Sequence, residues 1–172
     1  MKRTHVTGWA DGHLPGETIE AYVPGGPLNG ATVDGSNSPG PGHPADLQNQ
    51  VALRELDEEQ RVWNGLSNVC LILTERRLVV ASLGGLVAAK PKELLYSSPR
   101  DEVRCEWWLN DTSPEAWYRN WLLFFADGRW AGVGTGTRLL RKTVKAAGLS
   151  EEFTAALGVA AVEIDWRDPP SP

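Results

Sequence analysis

The chain has 172 residues, and its 22 acidic side chains outnumber the 17 basic ones, for a net charge of −5. This length suits one domain of roughly 100–200 residues with a sizeable core. The acidic balance argues against a general nucleic-acid-binding protein, because such proteins usually carry a basic surface. We find no apolar run of the about 20 residues that a membrane-spanning helix needs, and therefore expect a cytoplasmic protein without membrane binding.

The first third of the chain is rich in glycine and proline. We expect residues 1–13 to be flexible, and the alternating apolar positions of residues 17–23 predict a strand. Residues 24–45 contain few groups that could join a core, so they are predicted to be a linker. An N-capping aspartate and spaced leucines then predict an inserted helix over residues 46–62.

Strand-type sequence dominates from residue 69 onward, with runs rich in valine, leucine and isoleucine. The pair Asp127-Gly128 lies between two apolar runs and predicts a hairpin with a type I′ turn. The predicted strands cover residues 69–74, 77–83, 93–96, 102–109, 118–126 and 129–133. Residues 149–172, which follow a predicted helix over 137–147 that ends at Gly148, are expected to form a short helix (151–157), a strand (159–166) and a disordered tail.

Several predicted strands are apolar on both faces. Trp121, Leu123 and Phe125 point to one side of their strand, and the residues between them are also apolar. A strand with one face in water would alternate with polar residues instead. We therefore expect a cover on the second face, supplied by the inserted helix, the terminal helices or another subunit.

The order of these elements and four short motifs resemble the pleckstrin-homology-like (PH-like) superfold of small bacterial proteins. The motifs are residues 15–17 (PGE), 71–80 (LILTERRLVV), 90–103 (KPKELLYSSPRDEV) and 124–128 (FFADG). The resemblance covers residues 14–148, interrupted by the linker and the inserted helix. It implies a mainly β (α+β) fold, an antiparallel bent sheet or barrel of about six or seven strands capped by a C-terminal helix. It implies no catalytic residue, since the family shares no catalytic motif.

A glycine-rich stretch, residues 132–137, lies between the last predicted strand and the following helix. Glycines at such a position can let backbone N–H groups bind a phosphate. The candidate anion-binding residues are Gly134, Thr135, Arg138 and Arg141. The dinucleotide pattern G-x-G-x-x-G is not completed, so the alternative is a tight strand-to-helix corner.

Basic side chains supply a second candidate anion surface. Arg138 and Arg141 belong to a helical stripe that could contact an anionic lipid, an acidic partner, the acidic inserted helix or only water. Further basic residues lie near predicted hairpin tips, where lipid-binding members of the superfold hold headgroups. They are Arg76, Arg77, Lys90, Lys92 and Arg100.

Eight tryptophans are many for this length. Trp107 and Trp108 are adjacent in one predicted strand and must point to opposite faces. The tryptophans have two interpretations, core packing or an exposed aromatic patch that binds another protein. The candidates for such a patch are Trp107, Trp108, Trp121 and Trp130.

No histidine has a second ligand at metal-binding spacing, and no nucleophile or carboxylate pair lies in a catalytic motif. We therefore expect no metal, no cofactor and no enzymatic activity. The function we predict is a non-catalytic cytoplasmic interaction or scaffold module, with another protein or a second copy as partner. The alternative is a small-ligand, anion or lipid-binding domain that uses the 132–137 loop and the basic helix. A third possibility is an enzyme of unrecognised type.

Overall fold

A computed structural model describes residues 1–28, 56–63, 68–84, 89–113, 116–136 and 143–165. Within them the chain is mainly β. The helices and strands are α1 (Arg3–His13), β1 (Ile19–Pro27), β2 (Val69–Thr74), β3 (Arg77–Gly84), β4 (Lys90–Pro99), β5 (Val103–Ser113), β6 (Ala116–Phe125), β7 (Trp130–Gly136), α2 (Thr143–Leu157) and β8 (Ala161–Glu163). Short 3-10 turns cover Glu58–Gln60, Arg100–Glu102 and Gly158–Ala160.

The described strands form one eight-stranded sheet in the order β4-β3-β2-β1-β7-β6-β5-β8. All neighbours are antiparallel except β5 and β8. Strand β1 joins the N-terminal half (β1–β4) to the C-terminal half (β5–β8), because residues 19–25 pair with β2 and Gly26 and Pro27 pair with β7. At this junction a Cβ on Gly25 would lie 2.4 Å from Val133 Cγ1, so the close approach requires glycine.

The inner faces of the two halves and helix α2 share one apolar core. From α2, Phe153 and Leu157 are buried in it, and the Phe153 ring meets Trp121 edge-on with 5.7 Å between ring centroids. Trp121 and its neighbours Leu123 and Phe125 point inward as predicted. Burial of these large side chains is the main stabilising contribution on this side of the sheet.

Helix α1 covers the outer face of the N-terminal half. Val6, Ala10 and Leu14 recur every four residues and pack on alternate residues of the strands, including Tyr22 and Ile72. The prediction of a flexible segment over residues 1–13 is therefore wrong. Gly8 and Gly12 lower the intrinsic helix propensity, but the apolar stripe gains enough burial on the sheet to outweigh it.

The outer face of the C-terminal half is covered by residues 56–61 and Leu28, whereas Val62 and Trp63 pack on the inner core. Trp130 is central there, since its indole N–H donates to Asp57 O over 2.7 Å and its carbonyl accepts from Val62 N over 2.9 Å. The other members of this cluster are Trp108, Leu122, Leu56, Phe124 and Ile164. The expected cover on the second face of these strands is thus present.

The predicted inserted helix does not extend through its C-terminal end. Residues 56–62 contain only the 3-10 turn, because the Asp57 carboxylate accepts from Glu59 N and Arg61 turns to donate to Leu28 O over 2.9 Å. The rest of that prediction, and most of the predicted 24–45 linker, lies outside the described residues. The first four residues of the predicted linker belong to a strand, since β1 continues through Pro27.

The hairpin at Asp127-Gly128 is confirmed, but its turn is not type I′. Gly128 has a φ of +84°, whereas no described residue other than glycine has a positive φ. Gly128 N donates to Phe125 O over 3.0 Å and Phe125 N to Arg129 O over 2.9 Å. This is the three-residue hairpin loop that ends in one left-handed glycine.

The C-terminal helix is continuous through Gly148, so the predicted break between two helices is wrong. Ser150 does not cap a second helix; its hydroxyl donates back to Ala147 O over 2.9 Å within α2. The strand predicted after it is present but short, as β8. The predicted tail, residues 168–172, lies outside the described residues. None of the described helices is both long and apolar enough to cross a membrane.

Candidate functional site at the β5–β8 edge

The glycine-rich stretch is strand rather than a phosphate-binding corner. Through Gly136 it forms β7, where Gly134 pairs with Gly26 and Asn120, and Thr135 pairs with Arg119. Backbone groups in such ladders bond to neighbouring strands, so the predicted loop does not exist at these positions. The other two predicted anion ligands, Arg138 and Arg141, lie outside the described residues.

Three of the four candidate tryptophans are buried and cannot form an exposed patch. Trp121 is in the inner core, and Trp108 and Trp130 are in the outer cluster with Leu28 and Leu56. Core packing is thus the correct interpretation for these three. Trp107 lies on the opposite face from Trp108, as predicted, and remains partly exposed at the rim of the inner core.

Two of the basic residues near the hairpin tips are engaged within the chain. Arg77 forms an ion pair with the buried Glu17 carboxylate at 2.7 Å. Arg100 pairs with Glu20 at 2.7 Å and also donates to Ala156 O. Their charges are therefore already neutralised by contacts that hold the strands and α2 together.

A buried arginine that the sequence analysis missed lies beside Thr135. Arg119 is on the inner side of β6 and only 8% exposed. Its guanidinium stacks 4.7 Å from the Trp107 ring centroid and donates to the Thr154 hydroxyl of α2 over 3.4 Å. The same hydroxyl accepts from Trp121 Nε1 over 3.1 Å, so α2 and the sheet together orient this cation.

Burial and the neighbouring charges act on the pKa of Arg119 in opposite directions. Burial lowers the pKa of Arg119, whereas the carboxylates of Glu151 and Glu163 oppose that shift. A guanidinium keeps its proton at physiological pH even so. The site is therefore a fixed positive charge at the junction of β6, α2 and β8, with two nearby acids acting on it.

Strand β8 lies along the edge of β5 and carries one of those acids. Its residues Ala161, Val162 and Glu163 pair in parallel with Cys105, Glu106 and Trp107. The next amide, Ile164 N, donates to Trp107 O over 2.9 Å. Because directly paired residues share a face, Glu163 lies on the same side of the sheet as Trp107. The Arg119 guanidinium stacks on the ring of Trp107.

A sequence signal for Arg119 was present. In residues 119–125 the inward positions are 119, 121, 123 and 125, and only the first is charged. A lone arginine in an otherwise apolar stripe predicts a buried, partnered cation. The acid opposite it could not be predicted, since β8 is far away in sequence and its register depends on the fold.

A second, smaller feature is a cleft of 330 Å³ between α1 and the start of β1, lined among others by Arg3, Asp11 and Glu17. It contains no histidine. Arg3 donates to Ile19 O over 2.7 Å, and Glu17 accepts from Arg77 and from the Thr74 hydroxyl. These charged groups brace the helix and strands against each other.

Neither thiol is available as a nucleophile. Cys70 and Cys105 are free and fully buried, and burial raises the pKa of both thiols far above its ordinary value. A buried thiol that stays protonated reacts slowly. Within the described part of the chain, no three His, Cys, Asp or Glu side chains converge as a metal-binding group would require.

Comparisons with known proteins leave the family open. No protein-family model matches the chain, and no curated protein matches it. Among solved structures, the chain is similar to the hSac2 domain from the human phosphoinositide phosphatase Sac2, with 11% identity and a TM-score of 0.43. The match covers 92% of this chain and 83% of that one. A likeness at this level carries no functional argument.

Proposed function

We propose that this chain is a cytoplasmic, non-catalytic protein-interaction module with a PH-like fold. The observation that carries the proposal is the edge of β5, where the sheet accepts a short parallel strand whose side chains remain largely in water. The surface used for the interaction is then this β5–β8 edge, with α2 beside it. The partner is another protein.

The architecture supports the PH-like assignment. Strand β1 is shared by two halves of an antiparallel sheet, and the C-terminal helix α2 places Phe153 and Leu157 in the core between them. Helix α2 packs against this shared strand, as the C-terminal helix of a PH-like fold is expected to do. The outer helix α1 and the strand β8 are additions to that plan.

The exposed edge supports a protein partner. A sheet edge offers unpaired backbone N–H and C=O groups, which an extended segment of another chain can pair with. Val162 of β8 is 53% exposed, and the neighbouring Val159 is fully exposed. Apolar side chains of this kind beside a sheet edge favour docking of a polypeptide over a small polar ligand.

The buried thiols support the cytoplasmic location and the non-catalytic role in the proposal. Two free cysteines fit a reducing compartment such as the cytoplasm. Both thiols, together with the indoles of Trp108, Trp121 and Trp130, are buried in the core. The surface contributes shape and the backbone hydrogen bonds of the β5–β8 edge, and the buried Arg119 lies beneath it.

Site-specific photo-crosslinking tests the proposal. A benzoylphenylalanine at Val162 is compared with one at Leu94, which is similarly exposed (42%) but lies on β4 at the opposite end of the sheet. We expect one discrete protein adduct from position 162 and none from position 94, in cells that express the full chain. Adducts from both positions alike, or from position 94 alone, would contradict this surface.

A second candidate is binding of a small anion at Arg119. It is favoured by the Thr135 hydroxyl, which is buried and has no hydrogen-bond partner among the described residues. Isothermal titration with inorganic phosphate tests this candidate. Saturable heat that disappears in Thr135→Val would support it, and the absence of heat in the wild type would remove it.

A further inference from the structure

Strand β8 is held to the sheet mainly by its backbone. It has only three residues and follows a 3-10 turn whose Gly158 has a φ of +62°. Val162 and Glu163 are exposed, and Ala161 is half-buried. The pairing with β5 therefore depends little on which side chains β8 carries, and another extended segment could make the same hydrogen bonds.

The short length of β8 makes it replaceable. Its ladder to β5 comprises three residue pairs and the bond from Ile164 N to Trp107 O, and beside it Ala161 packs on the inner core and Ile164 on the outer cluster. Long ladders such as β5–β6 pair ten residues by comparison. A segment this short is among the first to detach from the sheet, because little buried apolar surface becomes exposed when it does so.

One position of β8 is chemically specific. Glu163 lies opposite Trp107, on the face where the Arg119 guanidinium stacks on that indole. Arg119 is buried, and the Glu163 carboxylate is one of two acids whose charge favours its protonated form. The register therefore places a carboxylate on the same face as the Arg119 guanidinium, and charge complementarity favours an acid at this position, whichever chain supplies it.

We propose that β8 occupies, within the chain, the place of a partner's extended segment, which runs parallel to β5 and presents an aspartate or glutamate to Arg119. This inference rests on the proposed function, because it takes the β5 edge as the partner surface. The partner segment is matched by charge complementarity and by small or β-branched residues before the acid, as in Ala161-Val162-Glu163. While β8 is in place it competes with that segment.

The competition lowers the apparent affinity of the wild-type chain. A partner can bind only in the fraction of molecules whose edge is open, so its dissociation constant rises in proportion to occupancy by β8. The tether adds to this effect, since a short linker keeps β8 at a high effective concentration beside β5. Weakening β8 should therefore strengthen binding of a second segment, whereas a merely structural β8 would give no such gain.

The test uses a fluorescent peptide with the chain's own residues 159–165, VAAVEID, and a control peptide in which Glu163 is replaced by glutamine, VAAVQID. Binding is measured by fluorescence anisotropy with the full chain. The opened protein is Val162→Pro, because proline has no backbone N–H to donate to β5. Its matched control is Val162→Thr, which keeps the N–H and the β-branched shape.

We expect Val162→Pro to bind VAAVEID about tenfold more tightly than Val162→Thr or wild type. The glutamine peptide should bind about tenfold more weakly than the glutamate peptide, since it lacks the charged partner for Arg119. In Arg119→Gln the two peptides should bind equally. Should the proline or Arg119 variants fail to fold, Glu163→Gln in the chain gives the same test, because it should strengthen VAAVEID binding severalfold without altering the backbone.

Three results would overturn the inference. Equal affinity of opened and wild-type chains shows that β8 is not a competitor, and equal affinity of the two peptides shows that no carboxylate is recognised. A wild-type dimer in sedimentation, lost in Val162→Pro, shows that a second copy exchanges β8 instead. If crosslinking from position 162 still succeeds while the peptides fail to bind, the proposed function stands and this inference alone is lost.

Discussion

The two edges of the sheet differ in how they are closed. Edge strand β4 has ten residues, with charged Lys90, Lys92 and Glu93 and prolines at both ends. Its pairing with β3 is irregular around Ala81, and the Trp9 indole donates to Lys92 O over 3.1 Å. Charges, prolines and bulges are how proteins prevent pairing at an edge. The β8 edge has none of these devices within its three residues except Glu163.

The edges also differ in their ties to the rest of the molecule. Strand β4 is tied across the fold by Tyr96, whose hydroxyl donates to Asp127 over 2.7 Å in the β6–β7 hairpin. Just beyond it, Arg100 binds Glu20 of β1 and Ala156 of α2. Strand β8 depends on its backbone ladder and on α2. The β4 edge is therefore tied to the rest of the fold by more side-chain contacts than the β8 edge.

The largest loss of stability should come from a substitution in α2, the helix that packs beside β8. Phe153→Ala takes a fully buried ring from the core and leaves a cavity beside Trp121, so we expect a loss of about 3–5 kcal/mol in unfolding free energy. Denaturant titration measures the loss. Val159→Ala, at a fully exposed position, is the control and should be silent.

Hydrogen exchange of the same Phe153→Ala protein sharpens the comparison. Amides of β8 and α2 should exchange faster before those of β4 do, because the lost ring contacts Trp121 of β6, in the half of the sheet that ends at β8. Uniform acceleration over both edges would show that they open as one unit, contrary to the difference described above.

An intermediate effect is expected at the hairpin that anchors β4. Gly128→Val places a β-branched residue at a φ of +84°, which should cost roughly 1–2 kcal/mol or more. Gly128→Asn is the matched control, since asparagine tolerates this conformation and should lose less. Thermal melts of the two variants compare them, and equal melting temperatures would show that the turn tolerates any side chain.

Removing the charges of β4 should make this edge strand prone to self-association, with little change in the free energy of unfolding. The variant Lys90→Thr/Lys92→Thr/Glu93→Thr keeps the strand but deletes the charges that oppose pairing. We expect larger species than in the wild type by sedimentation velocity, increasing with concentration. Unchanged sedimentation would mean that the prolines and Trp9 suffice to block this edge.

Sequence patterns predicted the strands well because alternation and β-branched content are local properties. Strand β2 has the predicted bounds, and Trp107 and Trp108 diverge as the period of two requires. The sequence did not predict helix α1, because its stability comes from packing on Tyr22 and Ile72 and not from the intrinsic helix propensity of its residues. The sequence left the burial of Trp130 open for a similar reason, since the cover over it comes from residues 56–61, which are distant in sequence.

The candidate site was predictable only in part. Thr135 was singled out, but as part of a loop with Arg138 and Arg141 instead of beside Arg119. An odd charge in an apolar stripe can be read from sequence, whereas the register that sets Glu163 opposite Trp107 depends on where α2 delivers the chain. Such long-range pairing is a property of the folded state.

The smallest effect concerns the tie at Tyr96 and appears only at alkaline pH. Burial, followed by the hydrogen bond to Asp127 and its negative charge, raises the pKa of Tyr96 to about 12 from 10.0. The same hydrogen bond lowers the pKa of Asp127. Because the folded-state pKa of this phenol is raised, its contribution to stability is complete below pH 10 and is lost as the pH rises toward 12.

Absorbance titration at the tyrosinate band measures this tie directly. The difference between wild type and Tyr96→Phe should show one phenol that ionises near pH 12. The same comparison is then made in an Asp127→Asn background. There the pKa of Tyr96 should move only part of the way toward 10.0, since burial, the largest cause of its raised value, remains. An ordinary Tyr96 pKa in the wild type would show that β4 is not tied to the hairpin. The two edges of the sheet would then be distinguished by their charges and prolines alone.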